Sequence, residues 1–256
     1  MAVLPCGTVT DRLLDGVRVL ELAEDVAGPY GGKLLADLGA EVVKVESKDG
    51  DPTRARGPFP TGRVDGAQSS LFHYLNGAKE LRRFDPAEPG AREAAERLCR
   101  WADVMLESKG SGAAERLGLS AGLPEELTPR LVRVSISPFG LSGPQAQWTG
   151  NDMIAFHASG FAYGFPALQV ETLDLPPLQA PSHAAALLAG ELVAAAALHG
   201  LLLARRDGRG AHLDVSLQEA IAALNQSQFN AMERTGDHCP AVPPAVQDNG
   251  RTGLGW

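Results

Sequence analysis

Short apolar runs and helix-spaced apolar positions alternate along the first half of the chain. "VRVLEL" at residues 17–22 and "EVVKVE" at residues 41–46 are β-branched runs, and "AGPYGGKLLADLGA" between them predicts a helix from near Gly28-Pro29 to Gly39. Strand, helix and strand in so short a span make a βαβ unit, which requires a right-handed crossover and a parallel sheet. The rhythm continues through a short helix in "SSLFHYLNGAK", a turn at Asn76-Gly77 and a strand at residues 81–84. An amphipathic helix in "GAREAAERLCRWAD", a strand at residues 104–107, a short helix in "GAAERLGL" and a strand in "PRLVRVSIS" follow. Beyond residue 137 the pattern becomes helical, over about residues 152–160, 184–206 and 215–232. The expected class is α/β, a Rossmann-like parallel sheet flanked by helices.

Composition narrows the class without changing it. A hydrophobic share of 44% and a charged share of 21% are ordinary globular values and exclude a disordered or fibrous chain. With a net charge of −8 and no basic stripe interleaved with aromatics, nucleic-acid binding is not expected. Cys6, Cys99 and Cys239 are odd in number and far apart, so neither a disulfide framework nor a metal site is expected. Reduced thiols, and an N-terminus without a basic region followed by an apolar one, point to the cytoplasm. The longest apolar stretch, residues 184–204, contains Glu191 and His199 and is broken by glycines. It reads as a buried helix rather than a membrane span.

Taken singly, the candidate chemical residues have plain alternatives. "AEDVAGPYGG" after the first strand suggests a helix N-terminus approaching a phosphate, but the G-x-G-x-x-G spacing is absent and a tight βα turn explains it equally. Asn76 and Lys79 in "LNGAK" fit a solvated hairpin, and Arg116 fits a surface helix. Asp152 is a natural N-cap, and Ser182 or His183 suits a cap of the Ala-rich helix.

In order, "LDGVRVLELAEDVAGPYGGKLLADLGAEVVKVESKDGDPTR", "LNGAK", "ADVMLESKGSGAAERLGL", "PRLVRVSISPFGLSGP", "GNDMIAFHASG" and "LLARRDGRGAHLDVSLQEA" resemble the family III CoA-transferases. That group includes formyl-CoA and carnitine CoA-transferases and the α-methylacyl-CoA racemases. The resemblance covers roughly residues 12–225. It implies a large domain over residues 12–232 that binds coenzyme A or acyl-CoA, and a homo- or hetero-dimer. It also implies transfer of CoA between carboxylic acids without a metal. By the same resemblance CoA lies along Val26, Ala27 and Gly28, with Asn76 and Lys79 nearby and Ser108, Lys109 and Arg116 toward the nucleotide end. Residues 233–256 read as a linker-like tail, and the family's small domain has no counterpart in the sequence.

In the family an Asp carboxylate attacks the acyl thioester. It forms an anhydride and then an enzyme-bound CoA thioester, so one difficult exchange becomes two easier ones. That Asp precedes a helix of the type "LLAG", and here Ala186 holds its place. A methyl group forms no anhydride. The racemases need a His where this chain has Asn151, which cannot exchange a proton near neutral pH. The leading expectation is a CoA-binding subunit that works with a partner carrying the Asp; the alternatives are acid–base chemistry on an acyl-CoA by Asp152, His183 or Glu191, or a non-catalytic scaffold.

Overall fold

The computed structural model describes residues 12–108, 128–164, 180–226, 230, 233 and 234. Six strands fall within them: β1 (Arg18–Glu21), β2 (Glu41–Glu46), β3 (Glu80–Arg83), β4 (Val104–Ser108), β5 (Val132–Ser137) and β6 (His212–Ser216). They form one sheet in the order β3-β2-β1-β4-β5-β6, and all neighbours are parallel. The helices are α1 (Ala27–Asp37), α2 (Ser70–Asn76), α3 (Ala91–Trp101), α4 (Asp152–Ala158), α5 (Ala184–Asp207) and α6 (Leu217–Ala222). This is the expected Rossmann-like α/β sheet.

Both faces of the central strands are apolar, as a two-sided sheet requires. Val19, Val42, Val104, Leu106, Val132 and Val134 meet α1 and α5, while Leu20, Leu22, Val43, Val45 and Met105 meet Ala95 and Cys99 of α3. Each such side chain contributes about 1.5–3 kcal/mol on burial. Burial also pushes the Cys99 thiol up to about 11, which keeps it protonated and inert. Where α1 crosses α5 the helices approach closely enough to need glycine. A Cβ on Gly31 would sit 2.6 Å from Val193 Cγ1, and one on Gly190 would sit 2.7 Å from the Ala27 carbonyl oxygen. This contact fixes the start of α5 beside the start of α1.

Helix α5 is long and apolar enough by composition to cross a membrane, with mean hydropathy 1.9. Its inner face, from Ala185 through Ala189, Val193 and Ala197 to Ala204, is buried.

One local expectation is corrected. The sequence reading placed a helix from residue 215, whereas residues 212–216 form β6 and the helix begins at Leu217, capped by Ser216. As the outer strand, β6 buries only Val215 and Ser216 fully, so its apolar signal is weak. At the opposite edge all four residues of β3 are exposed. The "GAAERLGL" helix lies outside the described residues, as does the 233–256 tail apart from residues 233 and 234.

Candidate active site

A cleft of about 1000 Å³ opens beyond the C-terminal ends of β1, β4 and β5. The strand order reverses between β1 and β4, and in open α/β sheets ligands bind at such a reversal. Val26 and Ala27 line it from the β1–α1 turn, Ser108 from the end of β4, Asp152 from the start of α4, and His183 and Ala186 from the start of α5. Residues scattered over the sequence therefore meet in one place. Gly28 serves the turn from behind: a Cβ there would lie 2.1 Å from Ala23 Cβ. Lys109 and Arg116 fall outside the described residues.

The turn is tied down from two sides. Ser108 Oγ accepts from the Glu24 N–H at 3.0 Å and donates to the Glu24 carbonyl at 3.2 Å. Beneath it lies a buried ion cluster. Lys44 Nζ donates to Glu21 Oε1 at 3.0 Å and to the Ala23 carbonyl at 2.7 Å, and lies 2.9 Å from Asp51 Oδ2 in ion-pair contact. Lys79 Nζ donates to both Glu21 oxygens at 3.0 and 2.8 Å, to the Pro29 carbonyl at 2.7 Å and to Asn76 Oδ1 at 3.0 Å.

This arrangement overturns the solvated-hairpin reading of "LNGAK", because Asn76 and Lys79 are buried and their polar groups are used inside the protein. Neither lines the cleft. Lys79 instead holds the Pro29 carbonyl, just past the Glu24–Ala27 segment that does.

The two lysines respond oppositely to this environment. Burial disfavours the Lys44 charge, but Glu21 and Asp51 outweigh it and hold the group above its ordinary value. Burial dominates at Lys79, aided by repulsion from Lys44, and despite Glu21 the group is pushed down to about 8. Between that value and the ordinary 10.5 the unfolded chain binds more protons at this position than the folded one. The contribution of Lys79 to stability therefore rises with pH across that window. Urea unfolding at pH 8 and pH 9.5 tests this: the wild-type chain shows that rise relative to Lys79→Met, which lacks the titrating group.

At the other wall Asp152 Oδ1 accepts from the Ala186 N–H at 2.8 Å. Its Oδ2 is buried with no hydrogen-bond partner among the described residues. Asp152 is not the N-cap the sequence suggested. Asn151 caps α4, accepting from the Ile154 N–H at 3.0 Å, and frees the carboxylate to reach α5. Ser182 and His183 make no side-chain cap to α5 either. Both have left-handed backbones, with φ of 60° and 56°. Such a conformation costs a non-glycine residue about 1–3 kcal/mol, and here it turns the chain sharply into α5 beside the cleft. Glu191 lies exposed on α5, away from the cleft lining.

Sequence reasoning missed the apolar wall and the mouth. Phe139 and Trp148 meet edge to face with ring centroids 6.0 Å apart, and Leu141 and Met153 continue their surface. The available signal was the loop "PFGLSGPQAQWTG", which carries two large aromatics where turns are ordinarily polar. Arg56 stands at the mouth, paired with Asp25.

A Rossmann-like sheet with a turn-lined cleft at its reversal point defines a nucleotide-type ligand fold. Within that class the chain belongs to CoA-transferase family III, whose profile matches residues 14–249. It is 36% identical over 220 residues to succinate–glutarate CoA-transferase of Agrobacterium fabrum, covering 84% of this chain and 53% of that protein. Over 220 residues it is also 36% identical to subunit BbsE of succinyl-CoA:(R)-benzylsuccinate CoA-transferase of Thauera aromatica, covering 84% and 52%. The crystal structure of a CaiB/BaiF family protein from Brucella suis superposes with a TM-score of 0.76 at 30% identity, covering 89% of this chain and 59% of that one. The chain thus spans about half the length of the curated relatives it matches.

Proposed function

We propose that this chain is the acyl-CoA-binding part of a family III CoA-transferase, which moves CoA between carboxylic acids with a nucleophilic carboxylate supplied by a partner subunit. The observation that carries the reading is Ala186: it lines the cleft at the start of α5, where the resemblance puts the attacking Asp, and a methyl group cannot attack. The chain's own residues supply the rest. The β1–α1 turn, held by Ser108 and the two buried lysines, presents backbone to a phosphate-bearing ligand, and the Phe139–Trp148 wall offers apolar contact to the acyl part. A partner is consistent with one relative being named as a subunit. The pure chain incubated with acyl-CoA and an acceptor acid should transfer nothing, and calorimetry should detect CoA binding. Robust transfer without a partner overturns the partner requirement, and no binding at millimolar CoA overturns the whole reading in favour of a scaffold.

A second reading rests on Asp152, a residue of the cleft lining whose Oδ2 has no hydrogen-bond partner among the described residues. In it the chain does acid–base work at the α-carbon of an acyl-CoA, and solvent deuterium enters that position. Asp152→Asn should then lower the exchange rate by about 10²–10⁴-fold. Exchange unchanged in that variant removes Asp152 from consideration.

A further inference from the structure

At the end of the sheet opposite the cleft, a second cavity of about 410 Å³ opens beside the N-terminal ends of β1, β4 and β5. Val17, Leu131 and Leu201 are buried in its floor. Its lining carries Arg18, Arg100, Arg130 and Arg205 against one carboxylate, Asp103, in a chain whose net charge is −8. That carboxylate is engaged already. It accepts from Arg18 Nε at 3.2 Å, from Arg18 Nη2 at 3.1 Å and from the Arg18 N–H at 3.0 Å. Arg100 pairs with Glu96 of its own helix at 3.2 Å. The side chains of Arg130 and Arg205 make no ion pair or hydrogen bond among the described residues. Helix dipoles favour cations in the last turns of α3 and α5, where Arg100 and Arg205 stand. They do not account for Arg130, which belongs to the turn before β5. That turn is pinned by the Gly210 N–H on the Pro129 carbonyl at 2.8 Å and the Leu131 N–H on the Thr128 carbonyl at 3.1 Å.

We infer that this cavity is a binding site for an organic phosphate monoester, with its phosphoryl oxygens taken by Arg130 and Arg205 and its apolar or aromatic body laid on the floor. Two guanidiniums without counter-ions at one opening repel each other, and a dianion between them removes that repulsion. The planar fork of arginine matches phosphoryl oxygens in pairs, and no lining carboxylate is left free to oppose the ligand. The volume falls within the range of small-molecule pockets and leaves room for a body beyond the phosphate. An acidic segment of another protein would need a wider surface than this opening provides. No residue lines both this cavity and the cleft, and the inference does not rest on the proposed function.

Calorimetry on the full chain with phenyl phosphate and with inorganic phosphate tests the site. Phenyl phosphate should bind about tenfold more tightly than inorganic phosphate, because its ring covers the apolar floor. Arg130→Gln and Arg205→Gln should each weaken phenyl phosphate about tenfold. Arg56→Gln, at the mouth of the cleft, should leave its binding unchanged. Added salt should weaken it, since the arginines stand at the surface. All three substitutions fall on exposed side chains and leave the fold intact, which circular dichroism verifies. Absence of binding at millimolar phenyl phosphate, equal affinity for the two ligands, or affinity unmoved in the Arg130→Gln/Arg205→Gln double variant overturns the inference. So does tighter binding of a polyglutamate peptide than of phenyl phosphate.

Discussion

Glu21→Gln should destabilise the folded chain by about 3–5 kcal/mol at pH 7, measured by urea unfolding, because it leaves buried charges without their counter-ion. Glu21 is the one acidic side chain that touches both Lys44 and Lys79 among the described residues, and all three are buried. The substitution keeps the shape and removes only the charge. Asp51 then faces two lysines, and Lys79, already pushed down to about 8, loses the attraction that keeps it protonated near neutrality. The damage reaches the cleft, since Lys44 holds the Ala23 carbonyl and Lys79 the Pro29 carbonyl at either end of the lining turn. A loss below 1 kcal/mol would mean that water already solvates the cluster.

Ala186→Asp is the complementary gain. On the proposed reading it restores a nucleophile where Ala186 now lines the cleft. With acyl-CoA the new carboxylate attacks the thioester carbonyl, the C–S bond breaks, and the departing thiolate attacks the aspartyl side of the anhydride. The acyl group leaves as a carboxylate and CoA stays on the enzyme. Mass spectrometry should detect this adduct in Ala186→Asp and not in the parent. Formation should exceed background by about 10³-fold, a conservative figure beside the cost of removing a nucleophile. The new carboxylate would stand beside Asp152, whose Oδ1 accepts from the residue-186 N–H, and like charge there raises its proton affinity. Activity should accordingly fall as the pH is lowered and that carboxylate is protonated. No adduct at any pH, with CoA binding intact, would remove residue 186 from the reaction path.

Much of the sheet is legible because its central strands are buried on both faces and carry short β-branched runs, as in "VRVLEL" and "EVVKVE". The outer strand β6 is not, since it buries its last two residues alone and runs directly into α6. At the cleft, Val26, Ala27 and Ser108 were found through resemblance, because a turn backbone leaves no chemical mark in composition. Lys79 shows the reverse failure. The turn beside it advertises solvent, and the side chain that buries it, Glu21, lies 58 positions away in sequence. Asp152 reads as a cap in sequence because nothing local reveals that Asn151 already fills that role and releases it toward α5. Phe139 and Trp148 were passed over as loop residues, since their meeting across ten residues is a property of the folded loop.

The exposed residues of β3 carry a further implication. An outer strand offers unpaired N–H and C=O groups to any extended chain that drifts against it. Here that margin bears Glu80, Arg82 and Arg83, all exposed, and the far margin begins with exposed His212 and Asp214 flanking Leu213. Charge on both rims discourages sheet-to-sheet growth, the usual route from a folded α/β chain to fibrils. Among the described residues, the two outer strands are thereby guarded against misassembly by strand addition.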